Sequence, residues 1–209
     1  MNLLIFGASG ATGQELVKQA LSNGFTVTAF VRTPQKLPIT HRNLNVVQGD
    51  VGDYYSVERA VKNQDVVLSA LGVSQTLKND PVVVKGVKNI LTAMQRFGVQ
   101  RLVYLSFLAV GKGRQDAGFV LKTIVSRIVR NEIDDHQEKE RLIRASPLRW
   151  TIVSPPTSTN GRRKGVYRMG EGLKAQSILP MVARADVADC MLRQVTNEDF
   201  IGKIVRIMY

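Results

Sequence analysis

Three glycines spaced three residues apart, Gly7, Gly10 and Gly13, constrain the fold of this chain more than any other feature. They follow the apolar run Asn2–Phe6, which predicts a buried strand, and precede Gln14–Ser22, whose apolar residues have helical spacing. The first glycine permits a sharp turn, the second lets the backbone approach a pyrophosphate, and the third lets helix and sheet pack closely. The N-terminus of the helix then offers free N–H groups to phosphate oxygens. This order predicts a nucleotide-binding βα unit.

Polar residues within this turn favour the same interpretation. Ser9 and Thr12 add hydroxyl donors beside the backbone N–H groups. A plain tight turn is the alternative, and the position of the motif between a predicted strand and a predicted helix makes it the weaker one. The residues expected to contact a dinucleotide here are Gly7, Ser9, Gly10, Ala11, Thr12 and Gly13.

Strand and helix patterns alternate along the rest of the chain. Further strands are predicted at Thr26–Val31, Leu44–Val47, Asp65–Leu71, Arg101–Leu105, Arg149–Val153 and Lys203–Met208. Further helices are predicted at Tyr55–Lys62 (with Asp53 as N-cap), Pro81–Phe97 and Ala185–Val195 (opened by Asp186). Such alternation predicts βαβ units and a parallel sheet. We therefore expect the α/β class: one Rossmann domain over residues 1–209, with a doubly wound, mostly parallel sheet and helices on both faces.

The C-terminal part, about 107–184, is expected to contribute the substrate side of a site. Val120–Arg144 is mostly helical in pattern, in two pieces, the second starting at Asp134 and Asp135. The stretch Asn160–Gly172 is rich in Gly, Arg and Lys and is expected to form a loop or small hairpin beside the substrate.

Composition excludes several classes of protein. The chain has 209 residues, a net charge of +12 and one cysteine, Cys190. A lone cysteine excludes an internal disulfide framework and multi-cysteine zinc sites, so no metal is expected, and Cys190 itself is expected to be a buried apolar residue. No apolar run reaches the ~18 residues that span a bilayer. The N-terminus lacks a secretion-signal pattern, so we expect a cytoplasmic protein that does not bind a membrane. The positive charge attracts anions, but no motif indicates nucleic acid.

The end of the second predicted strand indicates which dinucleotide binds. NAD-binding proteins carry an acidic residue there, which accepts hydrogen bonds from the ribose hydroxyls. Here the segment Ala29–Arg32 contains no acid and ends in an arginine. A guanidinium forms charge-assisted, forked hydrogen bonds with a 2′-phosphate. Arg32 therefore favours NADP (NADPH) over NAD, and the alternative is a solvent-exposed arginine without a ligand.

Several short segments carry a family resemblance. GASGATG at 7–13, VRTPQKL at 31–37, GDV at 49–51 and SALG at 69–72 resemble the atypical short-chain dehydrogenases, in particular the biliverdin reductase B/flavin reductase and NmrA-like groups. The segment Asp134–His136 and the run WTIVSPP at 150–156 are similar to the biliverdin reductase B type. This resemblance spans nearly the whole chain and implies an NAD(P)-binding Rossmann fold.

The resemblance also implies where the dinucleotide lies. Asp50 and Val51 would lie beside the adenine. Ala70, Leu71 and Gly72 would line the path of the cofactor where the fourth strand ends. Small residues at strand ends are the alternative explanation. Together these positions indicate the carboxyl edge of the sheet, where ligands bind in open α/β folds.

Catalysis by the usual route of short-chain dehydrogenases is not expected, because none of the five tyrosines is followed by lysine four residues later. The candidates for catalysis are Ser106 and His136, since a serine hydroxyl near the nicotinamide and a histidine near neutral pH can each donate a proton. The resemblance implies that both face the substrate pocket, and that Pro155 and Pro156 shape the pocket over the nicotinamide. The alternatives are a strand-end serine and an exposed first-turn histidine. His41 is expected to be plain surface.

One basic segment and two aromatic residues bear on the substrate. The basic segment Arg162–Arg168 is expected either to attract the phosphate of a flavin or the propionates of a tetrapyrrole, or to be a solvated loop. Tyr167 or Phe107 is expected either to stack on a planar acceptor or to pack in the core. We therefore expect an NADPH-dependent oxidoreductase acting on a planar, anionic small-molecule acceptor, as a monomer or weak homodimer. A non-catalytic NADP(H) sensor of the NmrA type is the alternative, and an epimerase is less well supported.

Overall fold

Strands and helices alternate along the chain in the computed structural model, which describes residues 1–72, 81–107, 130–177 and 179–209. The strands are β1 Asn2–Phe6, β2 Thr26–Val31, β3 Leu44–Gln48, β4 Val66–Ser69, β5 Arg101–Leu105, β6 Arg149–Ser154, β7 Thr157–Thr159, β8 Arg168–Gly170, β9 Met181–Ala183 and β10 Lys203–Met208. The α-helices are α1 Ala11–Ser22, α2 Tyr54–Val61, α3 Pro81–Phe97, α4 Arg130–Ala145 and α5 Arg184–Arg193. A short 3-10 helix spans Pro34–Lys36. The predicted alternation is confirmed.

Within these ranges, eight strands form one sheet in the order β3-β2-β1-β4-β5-β6-β10-β8. Neighbouring strands are parallel except for β8, which runs antiparallel to β10. β7 and β9 form a separate parallel pair. From β1 the order runs through β2 and β3 to one side, and β4, β5 and β6 follow on the other side. The winding therefore reverses between β1 and β4, where open α/β sheets leave a crevice at their carboxyl edge. The expected doubly wound sheet is confirmed.

Helices cover both faces of the sheet. This explains why every residue of β1 after Asn2 is apolar. Leu3 and Ile5 are fully buried on the face covered by α1 and α5, whereas Leu4 and Phe6 are fully buried on the face covered by α2, α3 and α4. A strand buried on both faces has no polar positions to alternate with the apolar ones. None of the helices in the described ranges is long and apolar enough to span a membrane.

Four helices begin before their predicted starts, α1 at Ala11 instead of Gln14 and α2 at Tyr54 instead of Tyr55, and the other two are α4 and α5. In the described chain α4 begins at Arg130, so Asp134 and Asp135 lie inside it; no Gly or Pro between residues 120 and 145 interrupts the helical pattern. Residues 120–129, where the first predicted helical piece falls, lie outside the described residues. α5 begins at Arg184 with Ala183 as its N-cap. Asp186 does not cap this helix, because its side chain accepts hydrogen bonds from the basic stretch and from Tyr209.

The carboxylate of Asp186 holds the basic stretch Asn160–Gly172 against α5. It is fully buried and accepts hydrogen bonds from the backbone N–H groups of Lys164 at 3.0 Å and Gly165 at 2.8 Å. The hydroxyl of Tyr209 donates to the same carboxylate at 2.6 Å. This stretch also contains β8, which pairs with β10 at the edge of the sheet. It is therefore a loop as far as residue 167, as expected, and β8 continues it along the edge of the sheet.

A second buried acid, Asp189, forms hydrogen bonds with three side chains, two of which belong to the basic segment Arg162–Arg168. It accepts from Arg163 at 2.5 Å, from Arg193 at 2.9 Å and from the hydroxyl of Tyr167 at 2.6 Å. Tyr167 also packs against the core, so its role is structural and not stacking on a free acceptor. Cys190 is buried as expected, and burial raises the pKa of its thiol to about 12.

Replacing the fully buried Asp186 with alanine removes the acceptor of two part-buried backbone donors and one phenol. Losing three hydrogen bonds to one charged acceptor costs stability, so Asp186→Ala should lower the free energy of unfolding by about 3 kcal/mol. Asp199→Ala, at an exposed carboxylate, should change it by less than about 0.5 kcal/mol. Urea unfolding followed by circular dichroism measures both. Equal stability of the two variants would show that Asp186 does not anchor the basic stretch.

Candidate functional site

Every residue predicted to bind the dinucleotide lies at the carboxyl ends of the first six strands or in the turns that follow them. The glycine turn follows β1, Arg32 follows β2, and Asp50 follows β3. Ala70 and Ser106 follow β4 and β5 in the same way. Because these strands are parallel, the sheet brings all of these positions to one edge, on either side of the reversal between β1 and β4.

The first and last glycines of the turn are required by close packing of the backbone. Gly7 has φ +73°, and a Cβ there would lie 2.5 Å from the carbonyl oxygen of Ala70. A Cβ at Gly13 would lie 2.0 Å from the carbonyl oxygen of Gly7. No side chain fits at either distance, so these two glycines let α1 leave β1 directly beside the end of β4.

Gly10 differs, because the chain itself does not require a glycine there. Its φ of −73° and ψ of 163° suit any residue, and a Cβ at this position would have the Gly7 oxygen as its nearest neighbour, at 3.2 Å. As N-cap of α1, Gly10 brings no side chain to the helix, and the first turn contains no acidic residue. The first N–H groups of α1 therefore meet neither a capping side chain nor an acidic residue, and the positive end of the helix dipole lies with them, which fits a pyrophosphate.

Gln14 stabilises the turn from inside α1. Its Nε2 donates to the carbonyl oxygen of Ser9 at 3.0 Å and to that of Lys36 at 3.2 Å. The amide thus ties the glycine turn to the 3-10 helix that follows β2. The sequence singled out Ser9 and Thr12 in this turn but missed Gln14, since one amide side chain in an amphipathic helix gives no signal of its own.

Arg32 is exposed at the end of β2. Its carbonyl oxygen accepts from Gln48 Nε2 at 3.3 Å, which fixes the backbone of the strand end. Among the described residues, its guanidinium takes part in none of the ion pairs. The side chain is therefore available to meet an anion at this edge.

The turn after β3 is built around Asp50 and Val51. Asp50 Oδ1 accepts from the N–H of Gly52 at 2.7 Å, and Asn89 Nδ2 donates to the carbonyl oxygen of Val51 at 2.8 Å. Val51 is buried against α3 at Gly86, where a Cβ would lie 2.7 Å from a Val51 methyl carbon. Asn89 and Gly86 position this turn, and neither could be found from local sequence because they contact it from a distant helix.

The end of β4 is held to the glycine turn by its backbone. The N–H of Ala70 donates to the carbonyl oxygen of Phe6 at 2.9 Å. Ala70 and Leu71 are half-buried and Gly72 is exposed. This segment therefore packs directly against the glycine turn at the carboxyl edge of the sheet.

Ser106 is buried at the end of β5, where its N–H donates to the carbonyl oxygen of Val153 at 2.8 Å. Its hydroxyl donates to Glu140 Oε1 at 2.5 Å. Burial raises the pKa of the Glu140 carboxyl above its ordinary value, against the opposing effects of the Ser106 hydrogen bond, Arg144 and Lys139. The sequence missed Glu140, whose only local signal is its position one helical turn after His136.

His136 lies in the second turn of α4 and is not an exposed first-turn residue. Burial lowers the pKa of its imidazole to about 3, and the charge of Lys139 adds to this effect. Its Nδ1 is buried and has no hydrogen-bond partner among the described residues. His136 is therefore neutral at pH 7. His41 is exposed, as expected.

Pro155 and Pro156 follow β6 directly and are both buried. They close the sixth strand beside Ser106, because the N–H of Ser106 bonds to β6 at Val153. Phe107 is half-buried and is the last residue described before position 130. Within the described ranges, no group of three or more His, Cys, Asp or Glu side chains is arranged to hold a metal ion.

Comparison with known proteins places these features in a family. The sequence pattern of an NAD(P)H-binding family matches residues 7–198. The (4-alkanoyl-5-oxo-2,5-dihydrofuran-3-yl)methyl phosphate reductase of Streptomyces griseus is 30% identical over 155 residues, which cover 74% of this chain and 47% of that protein. A short-chain dehydrogenase/reductase from Veillonella parvula, solved in complex with NADP, has a TM-score of 0.82 at 20% identity and covers 99% of this chain and 93% of its own. An anaerobillin reductase from Escherichia coli O157:H7 has a TM-score of 0.81 at 19% identity, covering 99% and 96%.

These similarities differ in what they show. The chain spans less than half of the length of these curated relatives, 34% for a mycobacterial steroid dehydrogenase and 47% for the Streptomyces reductase. The two solved structures show the fold, which is the same doubly wound sheet. The family pattern covers most of the chain and begins at the first glycine of the turn described above. This chain belongs to the NAD(P)H-binding family.

Proposed function

We propose that this protein is an NADPH-dependent reductase of a planar, anionic or quinoid small molecule. The observation that carries this proposal is the hydroxyl of Ser106, buried at the end of β5 and hydrogen-bonded to a carboxyl group, beside the crevice at the reversal of the sheet. A protein that only binds a dinucleotide has no need of a proton-donating group there, whereas reduction of an acceptor uses one.

The dinucleotide is proposed to lie along the carboxyl edge of the sheet. Its pyrophosphate would bind to the N–H groups and hydroxyls of Gly7, Ser9, Gly10, Ala11, Thr12 and Gly13. The exposed guanidinium of Arg32 would bind the 2′-phosphate, which makes NADPH the preferred form. The adenine would lie against Asp50 and Val51. Two features support this arrangement: the N-terminus of α1, which has neither a capping side chain nor an acidic residue in its first turn, and the lack of an ion pair for Arg32 within the described chain.

The nicotinamide end is proposed to follow the ends of β4, β5 and β6. Its contacts would be Ala70, Leu71, Gly72, Ser106, Pro155 and Pro156. When bound, the reduced nicotinamide supplies a hydride, and the chain has to hold the acceptor against it and exclude water. Ser106 would donate a hydrogen bond to the acceptor as its charge develops. His136, one helical turn before Glu140, would line the acceptor pocket as a neutral imidazole. Its buried Nδ1, which has no partner among the described residues, supports a contact with a ligand.

We infer the class of acceptor from the small number of proton-donating groups that the chain offers. The chain has no Tyr-x-x-x-Lys pair, and flavins, quinones and linear tetrapyrroles take up protons from solvent or a weak local acid. The net charge of +12 favours anionic acceptors. Two similar proteins are named as reductases, one of a phosphate ester and one of an anaerobillin. The acceptor is proposed to lie toward the part of the chain between about 107 and 184.

A dinucleotide sensor without turnover is the second candidate. The missing Tyr-x-x-x-Lys pair favours it as much as the reductase. The two are separated by the absorbance of NADPH, followed with and without flavin mononucleotide, then with quinones and a linear tetrapyrrole. Protein-dependent oxidation of NADPH supports the reductase. Tight binding of NADPH with no oxidation in the presence of any of these acceptors would overturn it in favour of the sensor.

Gly10→Val tests the pyrophosphate assignment. The side chain would occupy the open side of the turn, so NADPH affinity should fall by about a hundredfold or more while cooperative unfolding is retained. Fluorescence titration with NADPH and thermal unfolding measure the two quantities. Gly13→Ala, whose Cβ would lie 2.0 Å from the Gly7 oxygen, should instead destabilise the fold itself. Unchanged affinity in Gly10→Val would contradict the assignment.

Arg32→Glu tests the choice of dinucleotide. Replacing the guanidinium with a carboxylate should raise the Kd for NADPH by about tenfold to a hundredfold, with little change for NADH, because only NADPH carries the 2′-phosphate. Arg42→Glu makes the same change of charge at another exposed arginine and should leave both affinities nearly unchanged. If Arg32→Glu weakens the binding of NADPH and NADH equally, Arg32 does not bind the 2′-phosphate.

Ser106→Ala tests the hydroxyl at the end of β5. Losing a proton donor should lower kcat by about a hundredfold while the Kd for NADPH changes by less than about threefold. Stopped-flow oxidation and equilibrium titration measure the two constants, and Ser22→Ala on the exposed end of α1 is the matched control. If kcat of Ser106→Ala equals that of the unaltered protein, the role of Ser106 is structural only.

A further inference from the structure

Glu140 is a buried carboxyl group whose place in the proposed reaction has not been assigned. It is 6% exposed, and its one hydrogen bond among the described residues is the bond of 2.5 Å with the Ser106 hydroxyl. Other carboxylates of the described chain bind arginine instead, among them Glu58, Glu138, Glu198 and the buried Asp189. Burial of this kind makes a carboxyl group costly to ionise.

The charges near this carboxyl come mainly from its own helix. Lys139 and Arg144 favour the ionised carboxylate, and His136 is neutral at pH 7. The titratable and charged groups on the elements packed against α4 are Lys85, Lys88 and Arg96 on α3, Arg101 and Tyr104 on β5, and Arg149 on β6. Lys85 and Lys88 are exposed, Arg96 and Arg149 pair with other carboxylates, and Arg101 lies at the opposite end of β5. Tyr104 is a buried phenol whose pKa is raised by burial and by Glu140.

We propose that Glu140 is a positioning residue that supplies protons to Ser106, so that the serine hydroxyl can pass a proton to the acceptor. This inference rests on the reductase function proposed above. The acceptor gains two electrons and one proton with the hydride of the dinucleotide and needs one more proton. That proton leaves the Ser106 hydroxyl, the carboxyl proton of Glu140 moves to the Ser106 oxygen, and solvent returns a proton to the carboxylate.

The direction of the hydrogen bond decides whether Ser106 can donate. An ionised Glu140 accepts the hydroxyl hydrogen and leaves nothing to donate to the acceptor. A neutral Glu140 donates to the Ser106 oxygen and frees that hydrogen. The rate of reduction should therefore be highest when Glu140 is protonated and should fall as pH rises through its pKa, which burial raises above that of an ordinary glutamate.

Glu140→Gln separates this role from a structural one. The amide keeps the size of the carboxyl and can still donate to the Ser106 oxygen, but it has no proton to pass on. We expect kcat to fall by about tenfold to a hundredfold, KM for NADPH to stay within about twofold, and the fall of kcat at rising pH to disappear. Glu138→Gln, at the ion-paired carboxylate two residues away, should keep the pH profile of the unaltered protein. An unchanged profile in Glu140→Gln would overturn the proposal.

A second readout does not depend on turnover. In the protein without dinucleotide, infrared difference spectra across a pH titration should show a protonated carboxyl band that persists above the pH range of ordinary glutamates and is lost in Glu140→Gln. If no such band exists, Glu140 is ionised throughout and the proposal fails even if the reductase is active. If the band is present but no acceptor oxidises NADPH, the proposed function fails and the Glu140 proton has no reaction to serve.

Discussion

The close approach of Gly13 to the carbonyl oxygen of Gly7 determines where everything else in the site lies. Neither Gly7 nor Gly13 has room for a side chain. Because of this close packing, α1 begins immediately after β1, and the end of β4 lies directly beside the turn. The open edge of the sheet then begins at the point where the strand order reverses. The turn after β3 and the ends of β5 and β6 gain their positions from the same parallel register. The glycine turn, an exposed arginine and a buried serine therefore lie along one edge of the sheet.

Buried acids complete this arrangement in two different ways. Asp186 and Asp189 have several donors each, and these hydrogen bonds anchor the basic stretch and the chain's last residue to α5. Glu140 has a single hydrogen-bond donor among the described residues, the Ser106 hydroxyl. Several donors hold the carboxylates of Asp186 and Asp189 in place, whereas burial with a single donor raises the pKa of the Glu140 carboxyl. This contrast is the physical reason to assign structure to the first two and proton handling to the third.

The sequence predicted most of the scaffold because its signals are local. Strands β1, β2, β5 and β10 and helix α3 begin and end where the apolar runs, the proline and the glycines indicated. Asp53 caps α2 as expected, accepting from the N–H groups of Tyr55 and Ser56. Contacts between distant segments could not be predicted in this way. Glu140 meets Ser106 across 34 positions and Asn89 meets Val51 across 38, and neither pair leaves a pattern in its own segment. The anchoring of the basic stretch could not be predicted for the same reason, since its buried acidic partners lie on α5.

The crevice is proposed to hold a dinucleotide whose hydride passes to an acceptor beside Ser106. Oxidation of NADPH deuterated separately on each face of the nicotinamide C4, with flavin mononucleotide or the best acceptor found, tests this most directly. A ring held in one orientation against Ala70, Leu71 and Pro155 predicts a slower rate with the label on one face and an unchanged rate with the label on the other. Equal rates for both labelled forms, or oxidation that does not depend on the protein, would contradict it.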